Sequence, residues 1–291
     1  MTPDDFDFLR KMLRERSGLV LAAEKQYLAE SRLLPVARKY NIASLGDLVQ
    51  QLRVMPNSPL AVATVEAMTT NETFFFRDKL PYDHFRDTIL PALVAAHDRD
   101  KRIRIWCAAA STGQEPYSLA LIIRELAQKE PALAAYRFDI LATDLSGDVL
   151  ERARSGIYSQ FEVQRGLPIQ LLLKYFSQVG ETWQIAPEIR AMVQFRTLNL
   201  LNDFSPLGRF DVVFCRNVLI YFDQPTKIQV LNRIARQIAE DGYLALGAAE
   251  TVVGLTDAFR PLTEKRGLYV PNPAARDLEP LAMAGGARRG M

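Results

Sequence analysis

Arg102-Ile-Arg-Ile-Trp-Cys-Ala-Ala-Ala-Ser-Thr-Gly-Gln-Glu115-Pro-Tyr-Ser118 decides the architecture. It opens as an apolar strand (103–108), passes through a run of small residues and runs directly into a helix (114–128). Strand, small-residue turn and helix are the opening unit of a doubly wound sheet. Downstream the alternation continues. Strands are predicted at 137–143, 192–197, 210–216 and 242–249, each ending at a small or polar cluster, with crossing helices at 147–154 and 225–239. Two short strand-like runs between Phe259 and Val270, around Glu264-Lys265-Arg266-Gly267, predict an antiparallel hairpin closing one sheet edge. The expected fold class is therefore α/β, a Rossmann-like sheet.

Upstream the pattern is purely helical. Phe6, Leu9, Leu13 and then Leu28, Leu33, Val36 recur near the helical period, and breaks at Ser17-Gly18, Asn41 and Pro56–Pro59 separate three or four short helices. Pro81–Ala96 reads as one further helix. The expected organisation is an N-terminal all-α domain over 1–78 and a sheet domain over 79–270, with a small β-subdomain insertion at about 157–190. That insertion is expected to hold one helix (168–176) and short strands. The tail, 271–291, is rich in Ala, Gly, Pro and Arg and has nothing with which to build a core, so it reads as disordered.

With 36 Lys and Arg against 34 Asp and Glu, the net charge is +2, too small to steer the chain as a whole to nucleic acid or an anionic membrane. No apolar run is long enough for a membrane span, and the acidic N-terminus does not resemble a signal peptide, so the expected address is the cytoplasm. Cys107 and Cys215 lie in apolar runs and lack the spacing of a metal or redox pair, and His84 and His97 have no companion ligands. No metal is expected.

In an open parallel sheet, ligands bind beyond the carboxyl ends of the strands. After the first strand, small residues admit a ligand to the backbone and the next helix offers free N–H groups, but the spaced-glycine dinucleotide fingerprint is missing. Glu115 falls in the first helical turn, where it either binds a ligand or complements the helix dipole. Thr143-Asp144 ends the second strand, and Asp144 either accepts from ribose hydroxyls or caps the next helix. Asn217 and Tyr221 end the fourth, as a pocket floor or an ordinary packed loop. The Asn-Pro-Pro-aromatic pattern associated with nucleobase amines is absent there.

Five motifs together resemble the CheR family of chemotaxis receptor methyltransferases over about residues 5–270: Thr69-Thr-Asn-Glu-Thr-Phe-Phe-Phe-Arg77, Ala109-Ala-Ser-Thr-Gly-Gln-Glu-Pro-Tyr-Ser118, Ala142-Thr-Asp144, Ala153-Arg-Ser-Gly-Ile-Tyr158 and Phe214-Cys-Arg-Asn-Val-Leu-Ile-Tyr-Phe-Asp223. The resemblance implies a protein-glutamate O-methyltransferase that uses S-adenosyl-L-methionine, leaves S-adenosyl-L-homocysteine, and acts on the cytoplasmic helical domain of a chemoreceptor within receptor arrays. It implies that Asn71, Thr73, Arg77, Glu115, Asp144, Asn199, Leu200, Asn217 and Val218 form the cofactor pocket, with Arg77 and Tyr221 near the transferred methyl group.

Receptor contact is expected on the helical domain. Lys25, Arg32 and Lys39 recur at seven-residue intervals on one helical face with Arg38 beside them, and Pro35 is expected to bend that helix. Some family members grip a receptor's C-terminal pentapeptide through a longer glycine-containing loop. Here Ser177–Trp183 is short, which predicts no such tether. Two other readings stay open: a methyltransferase for a different carboxylate, and a non-catalytic cofactor-sensing module.

Overall fold

The computed structural model describes residues 1–97 and 99–276. The N-terminal helices are α1 (Pro3–Ser17), α2 (Gln26–Lys39), α3 (Leu45–Val54) and α4 (Pro59–Met68). Local chemistry sets their ends. Thr2 and Asp5 form a capping box on α1, Gly18 terminates it in the left-handed conformation (φ 76°), and Ser44 and Ser58 cap α3 and α4. Leu9, Leu13, Leu33, Leu48 and Leu52 are fully buried and form this module's own core. Pro35 sits inside α2 as expected.

A helical stretch then runs through Leu80–His84, Phe85–Ile89 and Leu90–Ala96. Its middle segment is a π-helical turn rather than the plain helix that the sequence suggested. Pro91, which has no N–H to donate back, lies just beyond that turn.

Among the described residues ten strands follow: β1 (Arg102–Cys107), β2 (Arg137–Asp144), β3 (Ile157–Ser159), β4 (Phe176–Val179), β5 (Thr182–Ile185), β6 (Val193–Thr197), β7 (Phe210–Cys215), β8 (Ile238–Leu246), β9 (Phe259–Pro261) and β10 (Leu268–Pro271). Seven build the main sheet in the order β6-β2-β1-β7-β8-β10-β9. Pairs from β6 to β8 are parallel, and β10 runs antiparallel between β8 and β9, the expected hairpin. The chain moves outward from β1 through β2 to β6 and then returns to the other side of β1 with β7. The crevice at the carboxyl ends of β1 and β7 is thus a topological switch point.

Three expectations need correction. The insertion carries three short helical segments, Gln160–Gln164, Ile169–Tyr175 and Pro187–Arg190, where one was expected. A Ser159–Glu162 capping box starts the first, and Pro187 starts the last. Strand β8 begins earlier and ends at Leu246, not 249. A register shift opposite Phe210/Val212 absorbs the extra residues at its start, and Gly247–Glu250 leave the sheet in a turn closed by Glu250 N to Gly247 O, 3.0 Å. Pro273–Arg276 form a helical turn where the composition suggested no structure, and the rest of the expected disordered tail, 277–291, lies outside the described residues.

Candidate active site

The switch point opens into one cleft. Asn71, Thr73, Arg77, Glu115, Asp144, Asn199, Leu200, Asn217, Val218 and Tyr221 all line it. Residues separated by up to about half the chain meet there because each follows a strand end or belongs to the segment between the modules.

Beyond β1, Ala108 and Ala109 form a wall without bulk. Gly113 starts the helix Gln114–Lys129 with φ 92°, and a Cβ there would lie 2.9 Å from Ala153 Cβ, so only glycine fits without displacement. Ser111 N donates to Asp144 Oδ2 (2.8 Å), and Ser146 N donates to Oδ1 (3.0 Å). Asp144 therefore ties two strand ends together. The helix Gly147–Ser155 has Ser146 as its N-cap, and Gly147 N donates to Glu66 Oε1 of α4 at 2.6 Å. Burial raises the Asp144 pKa, against the lowering effect of the backbone N–H groups of Ser146, Ser111 and Leu145.

Glu115 is buried, and its Oε2 accepts from Arg216 Nη1 at 2.8 Å. Burial raises its pKa, with the Arg216 charge acting in the opposite direction. Arg216, only 4% exposed, also donates through Nη2 to Arg77 O (2.8 Å) and Asp78 Oδ2 (2.9 Å). It fastens the segment between the modules to the floor of the cleft. Arg216 falls inside the Phe214–Asp223 motif, which by itself assigns it no role. A cation at the end of an otherwise apolar strand was the available signal.

That segment is sharply turned. Phe76, Asp78 and Lys79 have positive φ (53°, 65° and 44°). Phe75 is fully buried against Tyr158 and Phe176 of the insertion, with ring centroids 5.0 and 5.6 Å away. Phe76 N donates to Ser118 Oγ (3.0 Å), and Arg77 Nη1 donates to Glu72 O (2.6 Å). Arg77 is thereby held along the rim.

Asn199 is committed to structure as well as to the cleft. Its Nδ2 donates to Arg16 O (2.5 Å), and its Oδ1 accepts from Leu201 N (3.0 Å), so its amide is already engaged. The helical module itself contributes Ser17 and Leu19 to the lining, which no motif or periodicity in the sequence marks. Gly18 packs so closely that a Cβ would stand 2.8 Å from the Phe222 ring, and Val20 N donates to Tyr221 O at 2.9 Å.

The four expected receptor-contact cations lie outside the cleft. Lys25, Arg38 and Lys39 are exposed. Arg32 is not free: its guanidinium donates to Met68 O (2.7 Å), Thr69 O (3.0 Å) and Thr70 Oγ1 (3.1 Å), tying α2 to the chain leaving α4.

Two family descriptions match, "CheR methyltransferase, all-alpha domain" over residues 4–69 and "CheR methyltransferase, SAM binding domain" over 71–268. The chain belongs to the CheR methyltransferase family. It is 43% identical to "Chemotaxis protein methyltransferase 1" of Vibrio cholerae over 254 residues, covering 87% of this chain and 90% of the relative. A protein of the same name in Pseudomonas aeruginosa is 43% identical over 257 residues, covering 88% and 93%. "Chemotaxis protein methyltransferase" of Salmonella typhimurium is 34% identical over 255 residues, covering 86% and 84%. This CheR-family chain is accordingly an S-adenosylmethionine-dependent methyltransferase of chemotaxis, and S-adenosylmethionine is its cofactor.

The donor set of the cleft fits that cofactor. Leu145, Leu198 and Val218 offer apolar walls, while Asp144 and Glu115 offer carboxylates suited to hydroxyl and ammonium groups.

Proposed function

We propose that this CheR-family chain methylates glutamate side chains on the cytoplasmic helical domain of a bacterial chemoreceptor, leaving glutamate methyl esters. The observation that carries this reading is the placement of Arg77 and Tyr221 on the rim and wall of the same cleft as Asp144 and Glu115. The names of the relatives supply the chemotaxis setting.

When bound, the cofactor supplies a methyl group on a sulfonium, and its carbon–sulfur bond breaks as the new carbon–oxygen bond forms. A glutamate carboxylate, with an ordinary pKa of about 4.3, is ionised at neutral pH and needs no general base. The work of the protein is alignment, which can be worth effective molarities on the order of 10⁵–10⁸ M. Arg77 orients the incoming carboxylate through its guanidinium fork, and Tyr221 helps orient it through its phenolic hydroxyl. Too tight an Arg77 contact would stabilise the ground state as much as the transition state. Asp144 holds the ribose hydroxyls and Glu115 the ammonium of the cofactor. Asn71, Thr73, Asn199, Leu200, Asn217 and Val218 complete the enclosure.

The helical module, residues 1–78, presents the receptor surface on α2. Exposed Lys25, Arg38 and Lys39 accompany Tyr27 and Leu34, which are 69% and 45% exposed, a mixed basic and apolar surface suited to an acidic amphipathic helix. Strands β4 and β5 are joined by only Gly180 and Glu181, a turn too short to grip a receptor's terminal pentapeptide, so docking proceeds without that tether. The proposed place of action is the cytoplasmic receptor array. Among the described residues no helix is long and apolar enough to cross a membrane.

The deciding experiment transfers radiolabelled methyl from the cofactor to a cognate receptor cytoplasmic fragment and treats the product with mild alkali. Label released as methanol identifies a carboxyl ester. Alkali-stable label would place the methyl on another acceptor and overturn the glutamate assignment.

A further inference from the structure

Glu250 is a buried carboxylate held by backbone alone. It is 9% exposed, and no lysine or arginine among the described residues lies within salt-bridge distance of it. Five N–H groups converge on its two oxygens. Val218, Leu219 and Ile220 donate to Oε1 at 3.0, 2.7 and 3.3 Å, while Asn217 and Gly247 donate to Oε2 at 2.8 and 2.7 Å. The carboxylate joins the chain leaving β7 to the chain leaving β8.

The fixed segment is an unusual one. Asn217 has φ 58°, a left-handed conformation that costs a non-glycine residue free energy and persists where surroundings enforce it. The clamped N–H groups lead into the 3₁₀ turn Leu219–Tyr221, which carries Tyr221 into the cleft. Tyr221 is thus held on both sides, since its own carbonyl accepts from Val20 N at 2.9 Å. No room exists for an alternative at the second strand end: a Cβ on Gly247 would stand 2.7 Å from Glu250 Oε2 and 3.0 Å from Asn217 N. Glu250 itself does not line the cleft.

We infer that Glu250 is a positioning residue for methyl transfer: its carboxylate fixes the Asn217–Ile220 turn and, through it, sets Tyr221 against the acceptor without touching cofactor or substrate. The inference rests on the reading of Tyr221 as methyl-proximal. A carboxylate suits the task because both oxygens only accept. In Glu250→Gln, whichever way the amide turns, at least two backbone N–H groups face an NH₂ instead of an acceptor.

The test combines Glu250→Gln, Tyr221→Phe and the double variant. Amide exchange at 217–220 in the cofactor-free protein is expected to accelerate in Glu250→Gln. Its kcat is expected to fall by about thirtyfold or more, and S-adenosylhomocysteine affinity by clearly less, about tenfold at most, because Asn217 and Val218 of the same turn are only two of the groups that enclose the cofactor. In the Tyr221→Phe background the same substitution is expected to cost far less than it does alone, because the two residues act as one unit.

The outcomes separate two failures. If Tyr221→Phe transfers methyl at the parent rate, the reading of Tyr221 fails and the inference falls with it. If Tyr221→Phe is slow but the two losses multiply, or if affinity falls in step with kcat, the inference alone fails. Should Glu250→Gln not fold, Gly247→Ala disturbs the same clamp from the other strand and enters the same cycle. Loss of S-adenosylhomocysteine binding in both variants would make Glu250 a folding determinant and overturn the proposal.

Discussion

Arg216 Nη1 and Glu115 Oε2 lie 2.8 Å apart at the floor of the cleft, with both side chains buried. Removing one member of such a pair strands the other without compensation. Arg216→Ala is expected to cost roughly 3–5 kcal/mol of stability, and denaturant unfolding measures it. The Glu115 pKa, already raised by burial, would rise further once the opposing charge is gone. Replacing both residues with apolar ones of similar volume is expected to restore much of the stability but not cofactor binding.

Asp144 carries two backbone N–H bonds and has carboxylate capacity left for a ligand. Asp144→Asn is expected to weaken S-adenosylhomocysteine binding by about 1–3 kcal/mol, roughly 5- to 150-fold, as read by titration calorimetry. Unchanged affinity would remove Asp144 from the proposed ribose contact.

For Arg77, turnover is expected to depend on the guanidinium more than cofactor affinity does. Arg77→Ala should lower kcat by about 10²-fold while leaving S-adenosylhomocysteine affinity nearly intact, the pattern of a lost orienting group. Near-normal turnover would count against the assignment.

The cations of α2 divide into two groups. Charge reversal at Arg38 and Lys39 is expected to raise the KM for a receptor fragment by roughly three- to tenfold at low salt, an effect that shrinks as salt screens it. Arg32→Glu is expected to lower the unfolding midpoint as well, because it breaks bonds to Met68, Thr69 and Thr70. Equal losses of stability in all three variants would erase the distinction.

Far from the cleft, His97 links the helical stretch to the sheet. Partial burial alone would lower its pKa, but the hydrogen bond to Asp241 (3.0 Å) and the charges of Asp211 and Asp241 outweigh this and raise it. Its stabilisation is fully present below the unfolded value of about 6.5 and is lost as pH rises through the higher folded value. Urea midpoints at about pH 6 and pH 8 should differ more in the parent than in His97→Gln, and equal differences would remove the imidazole from that balance.

The sheet was legible because its strands are apolar runs that stop at small or polar clusters, and Ala142-Thr-Asp144 or Phe214-Cys-Arg216 mark those stops directly. The cleft lining could be listed because most of its residues follow such stops or belong to a recognisable motif. The connections across the chain could not. Asn199 donates to Arg16 O, and Glu250 accepts from Asn217 across more than thirty positions, contacts that no periodicity records. Arg32 looked like a member of a basic helical face because spacing alone does not reveal whether a guanidinium meets water or a carbonyl. The π turn at Phe85–Ile89 likewise lies inside a stretch that reads in the sequence as one continuous helix.

Ser17 and Leu19 belong to the helical module, yet they line the cleft at the sheet's switch point. The seam between modules is sealed by Gly18 against Phe222 and by Val20 N on Tyr221 O. Exchanging helical modules between relatives would therefore replace part of the cleft wall too. If the helical module carries the receptor surface as proposed, a chimera would change receptor preference and the cleft wall together, and a graft that keeps the host residues at 17–20 would be the way to uncouple them.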